Sequence, residues 1–450
     1  MSYQSAIARM YALGHELAPD AWRKFDLAHM RVLLAALQNP EQRFPGILIA
    51  GTNGKGSTAA TIASILQSSG LRTGLYTSPH LVRINERIRI NSEPIGDDDF
   101  ALVHDLVDHT ADRLVSEGDL PWHPSFFETL TAIAFEHFSR RKVDIAVLEV
   151  GMGGRLDATN VIEPRVSVIT DISLDHEKFL GSTISEIAAE KAGIVRPGGI
   201  VVTLPQHPLA TDVIGKRILD LGAWAVSAVP FVPAVAPSTG DWTSSAHDNS
   251  QVSRYRMRVL DEEIMVETPL LGRHQLRNVA LAIAAAEELS KQGFTGVTSE
   301  SIERGIRQTR WPGRFQIIPA QAGSPEYVLD VAHNPAGAWA LRSTLSACYH
   351  DRPFTLVFGA MRDKAIGEIA EILFPLADRV FATRADNPRS ASPEEVRGAA
   401  RRITADITLT SDVPSALNQA SDAVDTGGIV VTTGSIYIVG EAIQALGMRI

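Results

Sequence analysis

The run Gly51-Thr52-Asn53-Gly54-Lys55-Gly56-Ser57-Thr58 combines glycine spacing, a lysine and hydroxyls in a pattern that cradles a polyphosphate. Glycines let backbone N–H groups turn toward an anion, a following helix adds positive partial charge, and a lysine supplies a point charge for terminal phosphates. Thr52, Asn53, Gly54, Lys55, Gly56 and Ser57 are the expected nucleotide contacts. The strict G-x-x-x-x-G-K-[ST] spacing is not met, because Gly56 directly follows Lys55 and Ile49 stands where the first glycine would be. A bound polyphosphate calls for Mg²⁺, which takes a few hard oxygen ligands and keeps some waters. Glu149 ends the apolar run Asp144–Glu149, and a carboxylate there is costly unless a cation or hydrogen bonds satisfy it. His176, beside Asp175 after the Val166–Asp171 run, is a second candidate, and Ser78 offers a hydroxyl. Lys191, taken from the residues alone, is a lysine near a helix C-terminus, where the dipole favours it. Downstream, Arg314 could close over the phosphates as a clamp, and His333 is a further candidate in Asp330–Pro335, which repeats the pattern of a strand followed by a polar loop.

These groups need elements to carry them. Ile47–Ala50 forms a buried strand ahead of the glycine turn, with a helical pattern from Thr58 to about Ser68. Leu71–Tyr76, Ala146–Leu148, Val166–Ile169 and Ile200–Leu204 are further strand-like runs with helical stretches between, and such alternation predicts a mostly parallel sheet covered on both faces. Ligands then sit at the carboxyl ends of the strands, where Thr77–His80, Glu149–Asp157 and Asp175-His176 all fall. Pro230–Ser253 is a Pro/Ser/Thr-rich loop, and Ser253–Leu260 with Ile264–Glu267 suggests a hairpin before a helix from His274 to Leu289. Trp311-Pro312-Gly313 marks a linker, and the alternation resumes in Phe315–Pro319, Tyr327–Val331, Thr355–Gly359, Arg379–Thr383 and Gly428–Thr433. The expected fold class is α/β: a large P-loop domain, residues 1–309, with a mostly parallel sheet, and a smaller Rossmann-like C-terminal domain, residues 310–450.

Composition narrows the class. The chain has 450 residues, 45% of them hydrophobic and 21% charged, with a net charge of −10 and no dense basic block, which argues against a nucleic-acid partner. No apolar run approaches the roughly 20 residues of a membrane span, and the N-terminus lacks a secretory pattern, so the cytoplasm is expected. The single cysteine, Cys348, excludes an internal disulfide framework.

In combination and in order, GTNGKGST, TSPHLVRINERI, SFFETLTA, LEVGMGGRLDATN, DHEKFLG, EKAGIVRPG, GRHQLRN, WPGRFQ, LDVAHNP and GSIYIVGE resemble the bacterial dihydrofolate synthase/folylpolyglutamate synthase enzymes, ATP-dependent carboxylate–amine ligases related to the Mur ligases. The likeness spans nearly the whole chain. It implies ATP and two Mg²⁺ ions as cofactors, dihydropteroate, reduced folates and L-glutamate as small-molecule partners, and a monomer. Ser78 and Glu149 then match the ligands of one ion, with His176 and Glu149 near the second. Lys191 matches a lysine that the family carbamylates, which would turn a cation into an anionic oxygen ligand and reverses the reading from residues alone. Asn278, Arg314 and Asp330 match nucleotide-contacting positions. Asp26, Leu27, Ala28 and His29 fall on a dihydropteroate-binding loop, as do Ser125, Phe126, Phe127 and Glu128, and Leu156, Asp157 and Ala158. Ala28 and His29 depart from the usual residues, as does Ala365 after Asp363-Lys364, where a second acid is common. A folylpolyglutamate synthase without the dihydrofolate activity, and a P-loop kinase or nucleotide-driven switch, are the competing readings.

Overall fold

The computed structural model describes residues 1–14, 27–234, 252–321, 323–350, 352–403, 406–424 and 427–448. Its larger sheet contains β1 (Gly46–Ala50), β2 (Thr73–Tyr76), β3 (Ile88–Ile90), β4 (Glu93–Pro94), β5 (Ile145–Glu149), β6 (Pro164–Ile169), β7 (Ile200–Thr203) and β8 (Trp224–Ser227). Their order across the sheet is β4-β3-β2-β5-β1-β6-β7-β8. All neighbours from β2 to β8 are parallel, while β3 and β4 add an antiparallel edge. The continuous apolar strands are explained by burial on two faces. Leu48 and Ala50 of β1 point into one core with Leu148 and Ile169, and Ile47 and Ile49 point into the other with Val147 and Val168. The helices Asp97–Glu117 and Phe126–Arg140 cover the first face. Lys55–Ser68, Arg273–Lys291 and Ser299–Gln308 cover the second. Each fully buried Leu, Ile or Val stabilises this arrangement by about 1.5–3 kcal/mol.

Next comes the expected hairpin, β9 (Ser253–Val259) with β10 (Glu262–Thr268), antiparallel. The C-terminal sheet holds β11 (Gln316–Ile318), β12 (Glu326–Leu329), β13 (Phe354–Phe358), β14 (Arg379–Ala382), β15 (Ile407–Leu409) and β16 (Ile429–Thr433), in the order β11-β12-β16-β13-β14-β15. Only β11 runs antiparallel to its neighbour. Here too alternate residues serve opposite faces: Leu356 and Phe358 on one, Val357 on the other.

Several expectations need correction. The helix after the glycine turn starts at Lys55, not Thr58, because Gly54 takes the N-cap position with φ 89°, a left-handed conformation open to glycine. The N-terminal helix spans Tyr3–Ala12. β3, β4, β8 and β15 were not expected: each is at most 4 residues long and lies at or next to a sheet edge, where polar residues blur the apolar pattern. The β3–β4 turn is made by Asn91 and Ser92, with φ of 50° and 70°, both positive as a two-residue hairpin requires. Of the Pro/Ser/Thr-rich loop, residues 235–251 lie outside the described residues.

The two sheets meet through a loop as well as a linker. Leu81 and Val82, after β2, pack into the C-terminal core with Val439 and Ile443. Glu86 fixes that loop by accepting backbone N–H bonds from Leu81 (2.9 Å), Val82 (2.9 Å) and Arg83 (2.5 Å).

Candidate active site

Sheet order decides where the chemistry gathers. β1 lies at the centre between β5 and β6, and the chain passes from β1 to both sides, so the loops after β5, β1 and β6 converge at one carboxyl edge. The loop after β1 is stitched to the loop after β6. Thr52 and Asn53 donate their N–H groups to the Asp171 carbonyl at 2.9 and 3.2 Å, the Thr52 hydroxyl donates to the Ser173 carbonyl, and the Asn53 amide donates to the Ser173 hydroxyl. Lys55 Nζ lies 3.2 Å from the Thr52 carbonyl, folded over the loop it follows. Ser57 Oγ is buried without a hydrogen-bond partner, as is Thr58 Oγ1, which leaves two hydroxyls at the helix start with unused capacity. Asn278 seals the other side: a Cβ on Gly54 would stand 2.2 Å from Asn278 Oδ1. Gly56 lies under Trp311 in the same way: a Cβ there would stand 2.9 Å from the ring.

Glu149 closes β5 and is 4% exposed, accepting one backbone hydrogen bond, from Ser78 N at 3.2 Å. Burial raises its pKa, against the pull of Lys55, Arg314 and Arg87. A buried carboxylate with so little hydrogen bonding is chemically suited to a cation. Among the described residues no three His, Cys, Asp or Glu side chains are grouped as a metal cage, so an ion at Glu149 would need phosphate oxygens and water as well, the manner in which Mg²⁺ binds. His176 has left-handed backbone (φ 53°), and burial lowers its pKa to about 4, leaving the neutral ring that a metal requires. Lys191 ends the helix Ile184–Lys191 as expected, is 4% exposed, and donates to the Gly51 carbonyl at 2.7 Å. Burial, helped by Lys55, brings its pKa down to about 7.

From the C-terminal unit, Arg314 is held below its ordinary pKa by burial, with Asp330 and Glu149 at electrostatic range. Asp330 uses both oxygens on its own unit, accepting from Phe315 N and Ala332 N at 2.8 and 2.9 Å. His333 Nδ1 is 2.9 Å from the Val331 carbonyl, which turns Nε2 toward Asp175 at 3.7 Å. Three groups that sequence reasoning left unassigned complete the seam. Asp175 pairs with Lys364 at 2.7 Å, the two side chains 8% and 11% exposed, and Asn334 donates to Asp175 (3.2 Å) and to Asn53 (3.0 Å). Against the penalty of burial, hydrogen bonding to His333, with His176 and Lys364 close by, holds the Asp175 carboxyl far below the usual range. The available signal was Asp175 standing beside His176, and Asn334 beside His333.

The expected pterin contacts divide. Asp26 lies outside the described residues, and Leu27, Ala28 and His29 begin the helix Leu27–Ala36, with His29 edge-on to Trp122 at 4.9 Å. Phe126 stacks on Tyr11 (5.9 Å between centroids) beneath Arg87, and it lines a cavity of about 370 Å³ between the two units, opposite Asn387, Arg389 and Tyr437. Phe127 packs instead under Gly151 and against Tyr76. Ser125 and Glu128 form the capping box of Phe126–Arg140. Asp157 caps the turn Ala158–Val161 through Thr159, and burial raises its pKa to about 6; Leu156 precedes it and Ala158 is buried.

The chain matches the Mur ligase middle domain over residues 101–286 and the Mur ligase glutamate ligase domain over residues 313–436. It is 34% identical over 420 residues to a dihydrofolate synthase/folylpolyglutamate synthase of Bacillus subtilis, covering 92% of this chain and 93% of that one. The chain belongs to the dihydrofolate synthase/folylpolyglutamate synthase family. A folylpolyglutamate synthase of Lacticaseibacillus casei is likewise 34% identical over 447 residues, 99% of each chain. The structure of a Mycobacterium tuberculosis folylpolyglutamate synthase complexed with ADP matches with a TM-score of 0.87 at 30% identity, covering 99% of both chains. As a folylpolyglutamate synthase family member, the protein is an ATP-dependent ligase acting on small molecules. No helix among the described residues is long and apolar enough to cross a membrane.

Proposed function

We propose that the protein adds L-glutamate to dihydropteroate, giving dihydrofolate, and to reduced folates, giving folylpolyglutamates, and that it does so in the cytoplasm as a monomer. The observation that most supports this is the meeting of the phosphate loop, Glu149 and Lys191 on one side with Arg314, His333 and Lys364 on the other, with Phe126 lining a second cavity between the same two units. The reading divides the chain at 309/310, between the helix Ser299–Gln308 and β11.

The substrate carboxylate attacks the γ-phosphorus of ATP and ADP leaves, because a carboxylate at neutral pH is a poor electrophile until it becomes an acyl phosphate. Thr52 to Ser57 seat the phosphates, Lys55 neutralises charge spread over the transferred group, and Asn278 and Arg314 hold the nucleotide from either side. Asp330 keeps the Arg314 charge in place. Ser78, Glu149, His176 and carbamylated Lys191 would hold Mg²⁺, which supplies charge neutralisation at the phosphates when bound. A Lys191 pKa of about 7 leaves free amine at neutral pH, the form that adds CO₂ to give a carbamate. The glutamate amine then attacks the acyl carbon, its proton passes to His333 Nε2, and phosphate leaves. His333 Nδ1, facing the Val331 carbonyl, turns Nε2 to the side of the cleft where Asp175 stands. Closure of the two units orients the reactants and keeps water from the acyl phosphate. Leu27 to His29 with Asp26, Ser125 to Glu128, and Leu156 to Ala158 border the pterin site in this reading, with the Phe126 ring as the flat surface.

Phosphate release from ATP, with Mg²⁺ and L-glutamate, is the test, run in parallel on dihydropteroate and tetrahydrofolate with mass analysis of products. One glutamyl unit gained on both acceptors is expected. Gain on tetrahydrofolate alone would make this a folylpolyglutamate synthase only, and release that ignores both pterins would point to a kinase or nucleotide switch.

A further inference from the structure

Three hydrogen-bond donors belong to residues lining the cavity beneath Ser78 and Glu149, and among the described residues none of them is hydrogen-bonded to a carboxylate. Trp311, on the linker between the two units, buries its indole Nε1 without any hydrogen-bond partner. Its ring lies against Gly56, with Nε1 3.1 Å from the point a Cβ there would occupy, so the indole forms a wall of the phosphate loop. Arg89 stacks on the same ring, its guanidinium carbon 5.8 Å from the centroid, and spends only Nε on the protein, donating to the Glu86 carbonyl at 2.9 Å. Among the described residues Arg89 forms no salt bridge, and neither does Arg314, which lines the same cavity. Burial lowers the pKa of both guanidinium groups. Of the four carboxylates at electrostatic range, Glu86 is occupied by three backbone N–H groups and Asp330 by two, Glu149 faces Ser78, and Glu93 forms no salt bridge with Arg89. Desolvated cations and an orphaned N–H are costly unless something accepts from them, and a tetrahedral oxyanion accepts in several directions at once.

We infer that Arg89 and the Trp311 indole N–H, together with Arg314, form a phosphoryl subsite beside the phosphate loop, which takes the phosphoryl group after it leaves ADP and holds it until orthophosphate departs. This rests on the ligase reading above and assigns a place to its leaving group. The P–O bond to ADP breaks as the P–O bond to the substrate carboxylate forms; the carbon–oxygen bond to that phosphoryl then breaks as the amine nitrogen bonds to carbon, and orthophosphate is left on the Arg89 side of the cleft.

The probe is inorganic orthophosphate added to the full-length protein saturated with Mg²⁺ and ADP, read by the indole N–H resonances of ¹⁵N-tryptophan. The chain has 6 tryptophans, so the others serve as internal references, and the Trp311 signal is the one missing from Trp311→Phe. Orthophosphate is expected to shift the Trp311 indole proton downfield, and Arg89→Gln to weaken orthophosphate at least tenfold while changing ADP affinity by less than twofold. Retained ADP affinity also shows that the variant is folded. An indole signal that ignores orthophosphate, or an Arg89→Gln variant that loses ADP and orthophosphate equally, overturns the subsite and leaves the ligase reading standing. ADP that fails to bind the unaltered protein overturns both.

Discussion

Replacing Gly440 with alanine should separate the two halves of the active site without touching either. Gly440 lies in the helix Ile436–Ala445 of the C-terminal unit, and a Cβ there would stand 2.0 Å from the Leu81 carbonyl oxygen. An ordinary carbon–oxygen contact is about 3.2 Å, so the helix or the loop must move by roughly 1.2 Å (3.2 − 2.0). The loop is the stiffer side, because the Glu86 carboxylate binds the N–H groups of Leu81, Val82 and Arg83 together. The helix therefore retreats, taking with it the C-terminal sheet that carries His333 and Arg314. A misplacement of about 1 Å at reacting groups costs on the order of 100-fold in rate. The expected result is a kcat about 100-fold lower with a much smaller loss of ADP affinity, because Thr52 to Ser57 and Asn278 stay with the large unit and only Arg314 withdraws from the nucleotide. Glu86→Gln, which loosens the loop, should recover part of the loss in the double variant. Gly440→Ala with kcat within threefold of the parent, at normal ADP affinity, would refute the reasoning: the contact between loop and helix would not set the cleft.

Three further outcomes follow from the same geometry. Gly54→Ala places a Cβ 2.2 Å from Asn278 Oδ1 at a φ of 89°, and should weaken ADP at least tenfold in titration calorimetry. Lys364→Met leaves Asp175 with Asn334, His333 and its neighbour His176; breaking a buried pair costs about 3–5 kcal/mol, so the C-terminal unit should dock less firmly, seen as an increased radius of gyration in solution scattering. For unmodified Lys191, burial lowers the folded pKa to about 7 while the unfolded chain titrates near 10.5, so the unfolded state holds the extra proton between those values and stability rises with pH across them. Melting in CO₂-free buffer should therefore show Tm gaining from pH 7 to pH 9 for the parent relative to Lys191→Met, and parallel curves would contradict the assignment.

Much of the site was legible because each group is announced locally. A glycine turn between an apolar strand and a helix, or Glu149 at the end of five buried residues, is a pattern within a few positions of one chain segment. Short edge strands were not legible, since β3 and β8 carry Arg89, Trp224 and Ser227 on faces that never become core. Ser125, Glu128 and Asp157 were assigned to substrate from family position alone, and their capping bonds became visible only with the backbone in place.

By itself the sequence determined the chemical groups and the kind of segment that presents each one, because hydrophobic period, glycine placement and capping residues act over one or two turns of chain. It did not determine which segments become neighbours. That β5 and β6 flank β1, bringing Glu149 and Asp171 to the loop that holds Lys55, was decided by how apolar faces pack across the whole sheet. The pairing of Asp175 with Lys364, 189 residues away, and the fit of Leu81 against Gly440 were decided in the same way, since docking two units depends on the shape of both surfaces and leaves no periodic trace in either.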